Sequence, residues 1–141
     1  MLCFQTDFDN PEFCIVMAYR EELPDQCPPE AAEEITDERE VFRVVKSDPP
    51  TDGDFRSQRA LRPGAVFQGV PECLARGLSV FGEQGDGEKA LKLPGLRGGM
   101  LATVRLTAGA GRIQQTFRPS HHTWWPFAEF DILAHCGKEE A

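Results

Sequence analysis

The stretch Met100–Leu106 has the sequence MLATVRL, in which successive residues alternate between two sets: Ala102, Val104 and Leu106, and Leu101, Thr103 and Arg105. This period of two is typical of a β-strand with one buried face. The residues Gly109-Ala110-Gly111 follow it and predict a turn into a partner strand at Arg112–Phe117. The sequence therefore predicts that these two segments form an antiparallel pair of strands.

Other segments predict further short elements on either side of this pair. Strands are expected at Val41–Val45, Leu78–Phe81 and Phe127–Ala134, and short helices at Arg56–Leu61, Glu72–Arg76 and Glu88–Leu93. We expect Gly85-Asp86-Gly87 to form a loop. Strands outnumber long helices, so the predicted fold class is α+β, with a mostly antiparallel sheet.

The charge of the chain is concentrated at its beginning. The 141 residues carry a net charge of −8, but residues 1–40 alone hold twelve acidic and two basic side chains. We therefore divide the chain into an acidic N-terminal arm (1–40), helical or partly disordered, and a single compact α+β domain (41–141). Within the arm, helices are predicted at Pro11–Leu23, with Asn10 as the cap, and from Pro29 through Ile35.

Several classes of partner and location are disfavoured by composition. No run of 18 apolar residues predicts a membrane-spanning helix, and the basic residues are too dispersed to predict nucleic-acid binding. Acidic residues interrupt the N-terminus, so no export signal is visible and we expect a cytoplasmic protein. The five cysteines form no CxxC pair and are expected to be reduced, mostly buried thiols.

The segment Ser120–Pro126 (SHHTWWP) contains both tryptophans and two of the three histidines. If it is extended, His121 and His122 face opposite sides, and Trp124 shares a side with His122. Titratable groups beside aromatic rings favour a ligand site, whereas buried tryptophans with solvent-facing histidines would make it only a packed loop. His135 and Cys136 add zinc-type ligands at a spacing that is not typical of metal sites. We expect no metal and keep a metal-assisted hydrolase using His121, His122 and His135 as an alternative.

A more dispersed set of polar residues follows the predicted strands: Arg43, Ser79, Glu129 and Asp131. Arg43 and Ser79 each lie mid-strand among apolar neighbours, and the two acidic residues share one face of the last predicted strand. This order resembles the Arg–Ser–Glu arrangement of the ADP-ribosyltransferase-like fold, with Asp131 where that family has its second Glu. The resemblance covers residues 41–136.

The resemblance implies NAD as the cofactor and a role for each residue. Arg43 would contact NAD, Ser79 would order the pocket, and Glu129 or Asp131 would be catalytic, because a fixed carboxylate stabilises the positive charge that develops on the ribose. Trp124 or Phe81 would stack on nicotinamide. His122 and Trp124 complete the expected cofactor-binding set.

A different class of function requires no catalytic residues. The acidic arm is also typical of an interaction module, of the immunity or adaptor type, that docks a protein partner through residues 1–40. The sequence leaves this alternative open beside the enzyme.

Overall fold

The computed structural model describes residues 3–4, 15–16 and 18–138. The strands are β1 (Cys3–Phe4), β2 (Ile15–Val16), β3 (Glu33–Glu34), β4 (Arg39–Val45), β5 (Leu78–Phe81), β6 (Met100–Leu106), β7 (Gly111–Phe117), β8 (His121–Pro126) and β9 (Cys136–Lys138). The α-helices are α1 (Gln58–Leu61), α2 (Glu72–Ala75) and α3 (Gln84–Ala90). Three 3-10 turns add Asp52–Phe55, Pro94–Leu96 and Leu133–His135. No helix among the described residues has the length and apolarity needed to cross a membrane.

Seven of the strands form one antiparallel sheet in the order β3–β7–β8–β5–β4–β6–β9, and β1 pairs with β2 separately. The predicted α+β class with a mostly antiparallel sheet is confirmed. The predicted turn after β6 is found, and its glycines explain it, since Gly109 and Gly111 have φ values of 89° and 130°. Residues with a side chain rarely adopt such φ values, so glycine is required there. The predicted pairing of the two strands that it joins is wrong, because β6 lies between β4 and β9, whereas β7 lies between β3 and β8.

Strands β4 and β5 are joined much less extensively than their neighbours. β4 pairs with β6 at seven positions, from Arg39 opposite Leu106 to Val45 opposite Met100. In contrast, β4 pairs with β5 only where Phe42 faces Phe81. The two strands therefore diverge on the Val45 side of that pair, and the gap between them is available to side chains.

The two faces of the sheet bury different clusters, and β8 contributes a tryptophan to each. Trp124 belongs to the main core, with apolar residues of β4, β5 and β6 such as Val41, Val80 and Val104. Trp125 packs on the other face with Cys27 and Ala32. This is the alternation expected of an extended segment.

The last predicted strand, Phe127–Ala134, is wrong. Phe127 forms only an isolated bridge with Tyr19, and the chain then turns into the 3-10 segment Leu133–His135. Phe130 and Ile132 still pack on the main core, so the alternating pattern reflects burial rather than extension. Glu129 and Asp131 consequently do not share a strand face.

The predicted helices of the N-terminal arm are also wrong where the structure describes them. Residues 29–35 contain turns and β3 rather than a helix, because Glu33 and Glu34 pair with Ile113 and Arg112 of β7. For Pro11–Leu23, the start at Asn10 lies outside the described residues, Ile15–Val16 is β2, and residues 18–23 are not helical. Ala32 and Ile35 are buried against the sheet. The arm is therefore packed on the body over the part that is described, and a domain boundary at residue 40 stays a prediction.

Two local expectations also need correction. The expected loop Gly85–Gly87 lies inside α3. Cys27 and Cys73 form a disulfide rather than remaining reduced thiols. Their separation of 46 residues carries no sequence signal, because only the fold brings the turn before β3 against α2.

Candidate functional site

A cavity of about 320 Å³ opens where β4 and β5 diverge, and we call it the β4–β5 cavity. The sheet supplies one wall, and the segments around α1 and after α3 supply the others. Its lining comprises Arg43, Val44, Arg56, Ser57, Gln58, Leu61, Gly77, Ser79, Phe81, Ala90, Leu93, Leu96 and His121. The volume is at the lower end of the range of about 300–1,000 Å³ that small-molecule sites occupy.

Arg43 lies between the diverging strands and binds three backbone carbonyls. Its Nε donates to the oxygen of Asp54 at 2.9 Å, its Nη1 to that of Ser79 at 2.8 Å, and its Nη2 to that of Arg56 at 3.3 Å. The guanidinium also lies 5.7 Å from the Phe55 ring centroid. Burial lowers the pKa of Arg43 to about 10, so the group stays charged at neutral pH. Arg43 thus joins the 54–56 loop to β5 and closes the gap between the strands.

Ser79 lies on β5 directly beside this guanidinium, opposite Thr123 of β8. Its carbonyl accepts the bond from Arg43, and the residue is exposed to the cavity. The two residues that the sequence analysis paired, 36 positions apart, are therefore adjacent in the structure.

His121 lines the cavity from β8, beside Phe81 of β5, and is held by neighbours on β5 and β7. Its Nδ1 lies 2.8 Å from the hydroxyl of Thr116, which lies 3.0 Å from that of Thr123. The rings of Phe81 and Phe117 approach it edge-on, at 5.4 and 5.1 Å. Burial lowers the pKa of His121, with a smaller effect from His122, and both favour the neutral imidazole. Within the described chain Nε2 has no hydrogen bond and is the nitrogen available to a ligand.

The structure places the other expected cofactor-binding residues away from this cavity. His122 faces the opposite side of β8, and its Nδ1 donates to the carbonyl of Ser120 at 2.7 Å. Trp124 is fully buried, donates from its indole nitrogen to the oxygen of Ala110 at 3.0 Å, and meets Phe130 edge-on. Trp124 therefore has no ring face for nicotinamide, and Phe81 is the aromatic residue that lines the cavity.

The two expected catalytic carboxylates also lie elsewhere. Glu129 is exposed, and neither Glu129 nor Asp131 lines the β4–β5 cavity. Asp131 instead holds the 3-10 turn: its Oδ1 accepts from the amide of Ala134 at 3.3 Å, and its carbonyl accepts from His135 Nδ1 at 2.8 Å.

The three histidines of the alternative metal-assisted hydrolase do not lie together either. His121 and His122 point to opposite faces of β8, and His135 stacks on Phe130 in the 3-10 turn. Over the described residues, no three His, Cys, Asp or Glu side chains form a group that could hold a metal ion.

Sequence reasoning missed a carboxylate that reaches the cavity wall. The Glu21 carboxylate accepts two hydrogen bonds from Ser57, one from its hydroxyl at 2.5 Å and one from its amide at 2.9 Å. Ser57 in turn caps α1 by accepting from the amide of Ala60 at 3.1 Å. A serine before a short helix is a readable capping signal. Its partner 36 residues earlier is not readable, because the contact depends on how the N-terminal segment folds back.

Gly77 allows α2 to end directly above β8. A Cβ atom there would lie 2.3 Å from the Thr123 methyl carbon, closer than any real contact. Any side chain there would therefore displace Thr123 of β8.

Comparisons with known proteins add no relative from which a role could be transferred. No protein-family model, no curated protein and no solved structure matches this chain. The case for a function therefore depends on the arrangement of residues around the β4–β5 cavity.

Proposed function

We propose that the β4–β5 cavity binds NAD, the cofactor implied by the resemblance to the ADP-ribosyltransferase-like fold. One observation carries the proposal: the side chain of Arg43 meets the backbone of Ser79, at 2.8 Å, in the wall of a ligand-sized cavity. Burial of a charged strand residue beside a cavity is costly unless it serves a structure or a ligand.

The lining of the cavity suits a ligand with one anionic and one apolar part. Arg56 contributes a guanidinium to the lining, and Leu61, Leu93 and Leu96 contribute apolar surface. Phe81 offers an aromatic edge, and His121 offers one ring nitrogen. Because the volume is small, the nicotinamide half of NAD would enter and the adenosine half would lie across the rim.

The proposal concerns binding, and it does not assign the transferase step to Glu129 or Asp131. Neither carboxylate lines the cavity, whereas the Glu21 carboxylate is hydrogen-bonded to Ser57, which does line it. A carboxylate that stabilises the ribose cation must be next to it. Glu129 and Asp131 therefore serve as controls in the test.

Replacing Ser79 with leucine is expected to weaken NAD binding about tenfold or more, because the larger side chain occupies the cavity. Ser79 is exposed, so the fold should tolerate the change. Isothermal titration calorimetry with NAD measures the effect. The control variants Glu129→Gln and Asp131→Asn should bind as the wild type does. If the wild type binds no NAD, or if S79L binds it equally well, the proposal is wrong.

A second function is favoured by the acidic residues that precede and follow β3. Seven exposed carboxylates lie along residues 22–40, and we call this set the acidic face: Glu22, Asp25, Glu30, Glu33, Asp37, Glu38 and Glu40. Two of them pair with arginines of the chain, Glu33 with Arg39 at 3.2 Å and Glu38 with Arg105 at 3.0 Å. The remaining charge would attract a basic protein partner.

An arginine-rich peptide tests this docking function by fluorescence anisotropy. Changing Glu30, Asp37 and Glu40 to their amides should weaken binding about tenfold at low salt, and added salt should weaken the wild type similarly. The same charge loss at Glu83, Glu88 and Glu129 is the control and should have a much smaller effect. Equal losses in both triple variants would show that net charge, rather than the acidic face, attracts the peptide.

A further inference from the structure

We propose that the β4–β5 cavity selects a mononucleotide-sized phosphate ester, and that Arg56 is the residue that binds its phosphate. This inference rests on the proposed function, because it concerns the same cavity. It deepens that function: the phosphate contact is assigned to Arg56 rather than Arg43, and the part of NAD that the cavity selects is its nicotinamide mononucleotide half, which when free is a compact phosphate ester.

Arg43 is already committed to the protein. Each of its three nitrogens donates to a backbone carbonyl, from Asp54, Ser79 and Arg56. Turning this guanidinium toward a ligand would leave those three carbonyls without their donor, which is unfavourable in a partly buried gap. Arg43 therefore acts as a positioning residue for the cavity wall.

Arg56 has the opposite character. Its side chain is 54% exposed, and its nearest ionic partner is Asp52, at 3.7 Å. Asp52 is also bound by Arg20, so its charge is shared between two guanidinium groups. Such a loosely held guanidinium can turn to a phosphate and bind two of its oxygens at once.

Apolar surface around the mouth of the cavity indicates where the rest of the ligand lies. Leu61 and Leu93 are 58% and 56% exposed, although both line the cavity. Leu96 and Phe81 continue this surface inward. Large apolar side chains left exposed together at a cavity mouth are typical of a binding surface. A flat base would cover them while the phosphate reaches Arg56.

The size and charge of the cavity set the ligand class. The cavity volume of 320 Å³ is small for a dinucleotide. Two arginines line the cavity, and Arg43 donates three hydrogen bonds to backbone carbonyls, so Arg56 is the one that can bind an anion. His121 adds a hydrogen-bonding nitrogen, because its Nδ1 is engaged by Thr116 and its Nε2 is not engaged by any described residue. One phosphate on a mononucleotide-sized ester matches this arrangement.

Nicotinamide mononucleotide and nicotinamide riboside differ only in the phosphate, and their affinities test the inference by calorimetry. The wild type should bind the mononucleotide about tenfold to a hundredfold more tightly than the riboside, the range for hydrogen bonds to charged groups. Arg56→Gln should remove the difference. The control variant Arg62→Gln removes a neighbouring exposed charge that does not line the cavity, and it should preserve the difference in affinity between the mononucleotide and the riboside. Arg56→Lys, which keeps a charge but loses the two-pronged contact, should give an intermediate ratio.

The outcomes separate this inference from the proposed function. Equal binding of riboside and mononucleotide, or a phosphate preference that persists in R56Q, would overturn the role of Arg56 even if NAD binds. Binding of the mononucleotide through Arg56 without measurable NAD binding would support the inference and overturn the dinucleotide proposal. Thermal unfolding of R56Q should match the wild type, because the Arg56 backbone, and not its side chain, holds Arg43.

Discussion

Replacing Arg43 with methionine is expected to lower the free energy of unfolding by about 3–5 kcal/mol. Methionine fills part of the gap between β4 and β5, but it leaves the carbonyls of Asp54, Ser79 and Arg56 without their donor. Each lost bond came from a charged group, and such bonds contribute more than neutral ones. The variant should also lose ligand binding, because the 54–56 loop is no longer held to β5.

Urea denaturation measures this loss of stability, and two further variants show whether it comes from the hydrogen bonds of Arg43. Arg43→Lys should recover only part of the stability, since one ammonium cannot reach three carbonyls arranged around a planar guanidinium. Arg105→Met on the adjacent strand β6 is the matched control. Its side chain is 59% exposed and pairs with Glu38 at the surface, so its removal should cost less than about 1 kcal/mol. Similar losses for R43M and R105M would mean that Arg43 does not hold the cavity wall.

Removing the Cys27–Cys73 disulfide is expected to cost about 4 kcal/mol. The bond closes a loop with a sequence separation of 46 residues, and the loop-entropy relation gives this value for a loop of that length. Measured effects are more often about 2–4 kcal/mol, because native strain and residual structure reduce them. The double variant Cys27→Ala, Cys73→Ala and the reduced wild type should unfold at similar urea concentrations. Reductant should have no effect on the double variant, and a wild type equally stable with and without reductant would contradict the expectation.

This disulfide also bears on the expected cytoplasmic location. Disulfides persist in oxidising compartments, and cytoplasmic ones are usually transient or redox-sensing. In a reducing cytoplasm the chain would exist as the less stable dithiol form. Alkylation of thiols in freshly lysed cells, followed by mass spectrometry of the two cysteine peptides, distinguishes the locations. Alkylated Cys27 and Cys73 would agree with the cytoplasm, and an intact bond would favour an oxidising compartment.

Local patterns were sufficient to predict four strands of the sheet, β4, β5, β6 and β7, but not which of them pair. The β-branched run of β4, the alternation of β6 and the glycine turn before β7 each record the local backbone and the buried face. The opposite orientations of His121 and His122 followed from the same periodicity. These features depend on neighbours in the chain, so the sequence contains them.

Features created by contacts between distant segments were not predictable. Polar and apolar residues alternate in Phe127–Ala134 as they do in a strand, but the apolar ones pack on the core from a turn. Glu129 and Asp131 therefore do not lie at the expected site. The divergence of β4 and β5 has no local signature, and neither does the choice of Asp54, Ser79 and Arg56 as partners for Arg43. Arg43 and Ser79, which the family resemblance names together, are neighbours in the structure, whereas Arg56 and Glu21 became visible only with the fold.

The most direct test of the central claim is a titration of NAD into the isotopically labelled protein, followed by the backbone amide signals in two-dimensional NMR spectra. We expect saturable shifts in the signals of Gly77, Ser79, Phe81, Leu96 and His121, with little change in β9 or the 3-10 turn at Leu133–His135. Shifts confined to that turn and to Glu129, or no saturable shifts at all, would contradict the assignment of the β4–β5 cavity as the ligand site.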